Sequence, residues 1–309
     1  MVMATTVVSI ASRNAGFEVV SIVLLWLAVA AFVSLAALDL WLARHPLSLL
    51  RRAGKPGQGF HALGFVAGGC VLGVRILESD PTPPAARTVA AVLLAGGAVV
   101  WVLIFAAVAV EHGRDGGTQP RGEWLLTVVA TEGLAILGAR IADLEHLRAV
   151  HAGATALWIF GGLAYVLVGA LLARRVAQPG FVLADVAPDW WIVMGAPAIF
   201  CAAAVAVTGA HPGTAGAAAA VVAWGLASVM LIVLATADAL RARRLGVRFT
   251  PERWTMVFPL GMYCVASWTL GQSLHAGWLN DLGRWWVAVA FGAWAAVAFG
   301  EVRHLLSGP

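Results

Sequence analysis

Residues 190–210 read WWIVMGAPAIFCAAAVAVTGA, an uninterrupted run without a charged side chain. A helix of about 20 apolar residues is long enough to cross a hydrocarbon core of roughly 30 Å, so this stretch predicts a transmembrane helix. Eight further runs of similar length follow the same pattern, and a shorter run stands at the N-terminus. In chain order the ten runs cover residues 1–12, 17–43, 58–78, 87–110, 124–142, 150–173, 190–210, 214–240, 254–275 and 284–305.

The composition agrees with a protein that lies mostly in lipid. Hydrophobic residues make up 61% of the 309-residue chain and charged residues only 12%, whereas a soluble domain carries roughly 25% charged residues. Unpaired backbone groups exclude open sheets in lipid, and the runs are too long for barrel strands. We therefore predict an all-α integral membrane protein with one transmembrane domain over residues 1–309. The first run is too short to span a bilayer, so we expect helix 1 to be short or N-terminally truncated.

Basic residues concentrate in alternate loops. If the ten helices pair in order as five hairpins, thirteen of the twenty Lys and Arg residues lie between hairpins and six lie within them. Cytoplasmic loops carry the excess of basic residues, so this asymmetry predicts that the loops between hairpins and both chain ends face the cytoplasm. The thirteen residues are Arg44, Arg51, Arg52, Lys55, Arg114, Arg121, Arg174, Arg175, Arg241, Arg243, Arg244, Arg248 and Arg253.

Odd and even helices differ in side-chain size. The odd helices carry small and weakly polar stretches such as Ala67-Gly-Gly-Cys-Val-Leu-Gly73 and Val129-Ala-Thr-Glu-Gly133, whereas the even helices are bulkier. A hairpin repeated five times favours a ring with the small-residue helices inside. Small residues let membrane helices pack closely, and they can also wall a narrow pore; both interpretations stay open, and the recurrence favours the pore.

Three residues within the runs stand out. Glu132 is the only acidic residue deep inside an apolar run, and an intramembrane carboxylate is by default a functional hypothesis. It is also compatible with a neutral, hydrogen-bonded side chain between helices. Pro197 and Pro259 each remove one backbone hydrogen bond, which either only kinks the helix or shapes a conduit.

Motifs of catalysis are missing from the sequence. There is no GxSxG, Walker loop or HExxH, and no two of the eight histidines share a helix face at i, i+4. The three cysteines stand singly inside apolar runs. No basic run with interleaved aromatic residues points to nucleic acid. We therefore expect no catalytic residue, metal, cofactor or nucleic-acid partner.

Three stretches resemble the tellurite-resistance/C4-dicarboxylate transporter family, which includes TehA-like proteins and slow anion channels. They are Val2-Met-Ala-Thr-Thr-Val-Val-Ser-Ile-Ala11, Asp189-Trp-Trp-Ile-Val-Met-Gly-Ala-Pro-Ala-Ile199 and Arg253-Trp-Thr-Met-Val-Phe-Pro-Leu-Gly-Met-Tyr263. The resemblance implies five hairpins in quasi-five-fold symmetry around a central pore, and a homotrimer. It also implies a phenylalanine that plugs the pore, which the motif places at Phe258.

These observations predict a channel or transporter for small anions in the cytoplasmic membrane, with Phe258 as its gate. The alternative is a proton-coupled C4-dicarboxylate or sulfite exporter with Glu132 as proton site, or a tellurite-resistance permease. A membrane-embedded enzyme or cofactor-binding protein is the least supported alternative. The pore-lining candidates are Thr6, Ser9, Gly69, Thr131, Glu132, Gly195, Pro197, Pro259 and Gly261.

Overall fold

The computed structural model describes residues 1–42, 58–79, 82–114, 119–182, 185–246 and 250–306. Within these ranges the chain forms ten α-helices and three short 3-10 turns, with no strand. The helices are α1 Val2–Asn14, α2 Glu18–Leu42, α3 Gln58–Leu77, α4 Pro84–Arg114, α5 Leu126–Glu145, α6 Arg148–Val176, α7 Ile192–Thr208, α8 Ala215–Leu245, α9 Trp254–Ser273 and α10 Gly277–Leu306.

Each predicted run corresponds to one of these helices, with most ends within a few residues of the prediction. The largest difference is α10, which begins at Gly277 rather than at residue 284. Its first turns carry Asn280, Asp281 and Arg284. Because these side chains are polar, the apolar run begins after them and the predicted start is too late. Among the basic residues used for orientation, five lie outside the described residues: Arg44, Arg51, Arg52, Lys55 and Arg248.

Seven helical segments in the described part of the chain are long and apolar enough to cross a membrane. They correspond to α2, α4, α5, α6, α7, α8 and α10, so the chain is an all-helical, multi-pass membrane protein. Helix α1 has only 13 residues, and the apolar part of α3, Ala62–Leu77, is also short. The predicted count of ten spans therefore stays a prediction.

The helices pack as sequential pairs and also along a second set of contacts. Helix α1 packs on α2, α3 on α4, α5 on α6, α7 on α8, and α9 on α10. In addition, α1 contacts α3, α3 contacts α5, α5 contacts α7, α7 contacts α9, and α9 contacts α1. We call α1, α3, α5, α7 and α9 the inner helices, and α2, α4, α6, α8 and α10 the outer helices.

Burial separates the two sets. In the apolar segments of α5 and α7, 83% and 72% of the residues are buried. In those of the five outer helices, only 11–28% of the residues are buried. The outer helices expose large apolar side chains such as Trp26, Leu163 and Trp285. Such a surface is stable against lipid or a partner and not against water.

Small residues allow the inner helices to approach closely. A Cβ added at Gly261 of α9 would lie 2.8 Å from Cγ1 of Val7 on α1, and one at Gly73 of α3 would lie 2.9 Å from Cδ2 of Leu137 on α5. Real Cβ atoms essentially never approach other carbons so closely, so a larger residue at either position would force its neighbour to shift. The stretches of small residues thus have a direct role in helix packing.

Candidate functional site: the cavity between the inner helices

A cavity of about 770 Å³ lies between the inner helices. Its walls come from all five of them. Apolar residues form its inner end, near the middle of the inner helices: Val7, Val71, Gly133, Ile199 and Met262. Polar residues lie where the inner helices reach their C-terminal ends: Asn14, Glu78, Arg140, Asp143, Thr208, Gln272 and Ser273. The cavity therefore runs from an apolar end inside the helices to a charged rim at one end of them.

Phe258 lies one helical turn beyond the apolar end, because it precedes the lining residue Met262 by four positions, or roughly 6 Å along the axis. Its side chain is fully buried and among the largest buried side chains of the chain. A Cβ added at Gly195 of α7 would lie 3.1 Å from Cε1 of the Phe258 ring and 2.9 Å from Cγ of Pro259. Gly195 has no side chain, and the Phe258 ring fills the space that this leaves beside α7.

Charged groups of both signs meet at the rim. Nε of Arg75 lies 3.8 Å from Oε2 of Glu78, and Nδ1 of His151 lies 3.8 Å from Oδ1 of Asp143. The Glu78 Oε2 atom is shielded from solvent and accepts no hydrogen bond from the described residues. Burial raises the pKa of Glu78 to about 7, although Arg75, Arg140 and Arg13 each act to lower it.

Arg75 joins three helices behind the rim. Its side chain is almost fully buried, and its Nε donates to Ser9 Oγ at 3.1 Å while its Nη2 donates to Ser21 Oγ at 2.8 Å. Each serine also donates to the other's carbonyl, at 2.7 Å. Two donors of one guanidinium therefore link α1, α2 and α3, and each serine hydroxyl accepts a hydrogen bond from Arg75 and donates one to a carbonyl.

The predicted pore-lining residues of α1, α3 and α5 make contacts within their own helix or with neighbouring helices. Thr6 donates to Val2 O within α1, and Ser9 belongs to the Arg75 network. Thr131 accepts a hydrogen bond from Nε1 of Trp101 on α4, at 2.9 Å. A Cβ at Gly69 would lie 3.3 Å from the ring of Phe32 on α2. None of these residues lines the cavity described above, and their contribution to a pore stays a prediction.

Glu132 points toward an outer helix. Its side chain is fully buried, and neither carboxylate oxygen has a hydrogen-bond partner among the described residues. A Cβ added at Gly161 of α6 would collide with this carboxylate. The next residue, Gly133, lines the cavity, so Glu132 sits beside the cavity wall and faces away from it.

The remaining candidates lie at the interfaces of α7 and α9. Gly195 and Pro259 face each other, Gly261 faces Val7 on α1, and Pro197 is buried within α7. Sequence reasoning missed the residues of the charged rim, Glu78, Arg140 and Asp143, and the network of Arg75. Arg75 could have been recognised as a candidate from the sequence, because it is a charged residue inside the apolar run 58–78. The described residues contain no group of three or more His, Cys, Asp or Glu side chains placed to hold a metal ion.

Known proteins support the family resemblance. The sequence profile of the voltage-dependent anion channel family matches residues 1–302. Two membrane proteins described as uncharacterised, from Mycobacterium tuberculosis strains CDC 1551 / Oshkosh and ATCC 25618 / H37Rv, are each 30% identical to this chain over 157 residues. The aligned part covers 46% of this chain and 76% of each relative.

Proposed function

This chain belongs to the voltage-dependent anion channel family, and from that premise we propose that it moves small anions through a conduit between its inner helices. The observation that carries the proposal is the cavity of about 770 Å³, to which all five inner helices contribute and which ends one turn before a fully buried phenylalanine. A cavity with a charged rim at one end and a buried apolar ring beyond the other end is the arrangement expected of a closed conduit.

The proposed architecture is a ring of five helical hairpins around this conduit. Two observations support it: the contacts of the inner helices return from α9 to α1, and the inner helices are buried while the outer ones are exposed. In this arrangement α1, α3 and α9 also cross the bilayer, which gives ten spans in one transmembrane domain.

Phe258 is the proposed gate. Its burial against Gly195 and its position beyond Met262 support the assignment. A phenyl ring can close such a path sterically and by keeping it free of water, and neither effect requires charge. Selectivity among anions would follow from the width of the apolar segment and from the charges at the rim. The mechanism involves no covalent step, and we expect no enzymatic activity.

Orientation and assembly are further parts of the proposal. The basic loops between hairpins support cytoplasmic positions for both chain ends. The charged rim of the cavity would then open to the outside, since it lies at the C-terminal ends of the inner helices. The exposed apolar outer helices would contact lipid and, in the homotrimer that the family resemblance implies, two further copies of this chain.

A coupled carrier is the second candidate function, and Glu132 is the observation that favours it. This buried carboxyl lies beside the cavity wall and has no hydrogen-bond partner among the described residues, so it could take up and release a proton during transport. The carrier would export C4-dicarboxylates or sulfite, and a tellurite-resistance permease is a variant of the same idea.

Flux measurements on the purified protein in proteoliposomes test the proposal. Chloride, nitrate, sulfite and malate should be compared at symmetrical pH and across a pH gradient. Flux of at least one of these anions that is independent of the pH gradient supports a channel. Uptake that a proton gradient drives uphill supports the carrier, and no flux of any tested anion with Phe258→Ala would contradict both.

A further inference from the structure

We propose that the cavity is an anion-binding site that protonation controls, with Arg140 and Arg75 as its cations and Glu78 as the carboxylate whose negative charge keeps anions out. The inference rests on the proposed function, because it names the outer binding site and the regulation of the same conduit. The ligand class is small inorganic anions and short carboxylates.

The charges that line the cavity are unfavourable for anions when every carboxyl is ionised. Arg140 then faces the two carboxylates of Glu78 and Asp143, and the Arg75 guanidinium lies behind the wall. Apolar walls concentrate the field of such groups into the enclosed space, so one unit of charge has a large effect on which ion enters. Removing the Glu78 charge leaves the arginines as the dominant charges on that side of the rim.

Glu78 is surrounded by charged groups from the helices around it. On its own helix Arg75 lies 3.8 Å away, while Arg13 of α1, Glu18 of α2 and Arg140 of α5 act on it over longer distances. On α4, Arg87 is paired with Glu145 at 3.3 Å.

The protonation of Glu78 changes near neutral pH. Its pKa is raised to about 7, with burial as the main cause. The carboxyl is therefore mostly neutral below pH 7 and mostly charged above it. Acidification thus removes one negative charge from the cavity wall.

Arginine suits the proposed ligands. A guanidinium without a carboxylate partner offers N–H donors in a fork that fits carboxylates and oxyanions, and it also attracts halides by charge. Arg75 keeps two of its donors on Ser9 and Ser21, so it contributes mainly charge. Arg140 has no such partners in the described structure and is the residue that would contact the anion.

Iodide quenching of Trp268 provides a test on the full-length protein in detergent, and it requires no transport. Trp268 lines the cavity, and its contribution is obtained by subtracting the signal of Trp268→Phe. In the wild type, the iodide quenching constant of this component should rise about fivefold between pH 8 and pH 6, which is the effect of one unit charge at several ångströms in an intermediate dielectric. Neutral acrylamide should quench equally at both pH values.

Variants separate the site from its surroundings. Glu78→Gln should give strong iodide quenching that varies little with pH, and Arg140→Gln should give weak quenching at both pH values. Glu145→Gln removes an exposed carboxylate outside the cavity and should keep the wild-type profile. A wild-type pH profile in Glu78→Gln would overturn the proposal, as would acrylamide quenching with the same pH dependence as iodide. Absent anion flux in proteoliposomes with intact iodide quenching would refute the conduit and leave the binding site standing.

Discussion

The Phe258 ring on α9 occupies the space that Gly195 leaves open on α7. A Cβ at position 195 would lie 3.1 Å from Cε1 of the ring, which is tighter than most Cβ contacts in proteins. The glycine and the phenylalanine therefore fit together as a pair, one turn beyond the apolar end of the cavity. This pairing gives the gate hypothesis two positions at which it can be tested.

Phe258→Ala is expected to raise basal anion flux about tenfold or more in proteoliposomes, because it removes the ring that closes the apolar segment. Val257→Ala is the matched control: Val257 is equally buried on the same turn, but it points to a different side of the helix. Flux in Val257→Ala should stay near that of the wild type. Unchanged flux in Phe258→Ala, with normal expression and oligomeric state, would remove the gate assignment.

Gly195→Ala should lower the thermal stability of the detergent-solubilised protein. The new methyl group would meet both Phe258 and Pro259, and overpacking of this kind costs about 1–3 kcal/mol. Gly225→Ala on α8 is the control, since its Cβ would meet nothing within 4 Å, and it should be neutral or slightly stabilising. Equal melting temperatures for the two variants would show that α7 and α9 do not approach as described.

Glu132→Gln should leave anion flux unchanged or increase it. An unpaired charge at this depth is costly, so we expect the carboxyl to be neutral at rest, and an amide of the same shape then replaces it without a change in charge. If the variant assembles normally and anion transport is lost, the proton-coupled carrier becomes the better account. Flux measured with and without a pH gradient distinguishes the two.

Glu132 and Gly161 should also be coupled in stability. Gly161→Ala places a methyl group where the carboxylate lies, so it should destabilise the protein in the wild-type background. The same change combined with Glu132→Ala should cost much less, and a double-mutant cycle of thermal unfolding measures the difference. Additive effects of the two changes would contradict the contact.

Arg75→Gln should lower the free energy of unfolding by about 3 kcal/mol or more. The change removes the buried guanidinium that donates hydrogen bonds to Ser9 and Ser21. It also leaves Glu78 without the cation that lies 3.8 Å from it. Arg75→Lys should rescue little, since one ammonium cannot reproduce a two-pronged donor. Arg87→Gln is the control, because Arg87 pairs with Glu145 on the exposed surface, where ion pairs contribute about 0–1 kcal/mol. Both variants are compared by thermal unfolding in detergent. A lower melting temperature for Arg87→Gln than for Arg75→Gln would contradict this account.

Much of the fold was predictable from the sequence because lipid imposes a simple rule on it. A helix that spans a bilayer needs a long apolar run, and those runs located the helices to within a few residues at most of their ends. The difference in side-chain size between odd and even runs also agreed with the burial of the inner helices, since close packing selects small residues.

The direction in which a side chain points was much less predictable. A helix that is apolar and small on all sides gives no periodic signal, so the sequence did not indicate that Thr131 contacts Trp101 or that Glu132 faces Gly161. The rim of the cavity was missed for a related reason. Glu78, Arg140 and Asp143 each look like ordinary residues at the end of a helix, and only the packing of α3 against α5 brings them to one cavity.

Chemical modification of single cysteines tests most directly whether anions pass between the inner helices. In a Phe258→Ala protein whose three native cysteines are replaced by alanine, Val205→Cys places a thiol in the cavity wall and Val222→Cys places one on the exposed face of α8. A bulky, charged methanethiosulfonate reagent added from outside should abolish anion flux through the Val205→Cys protein and leave the Val222→Cys protein unaffected. Undiminished flux after complete labelling of the thiol at position 205 would contradict a conduit between the inner helices.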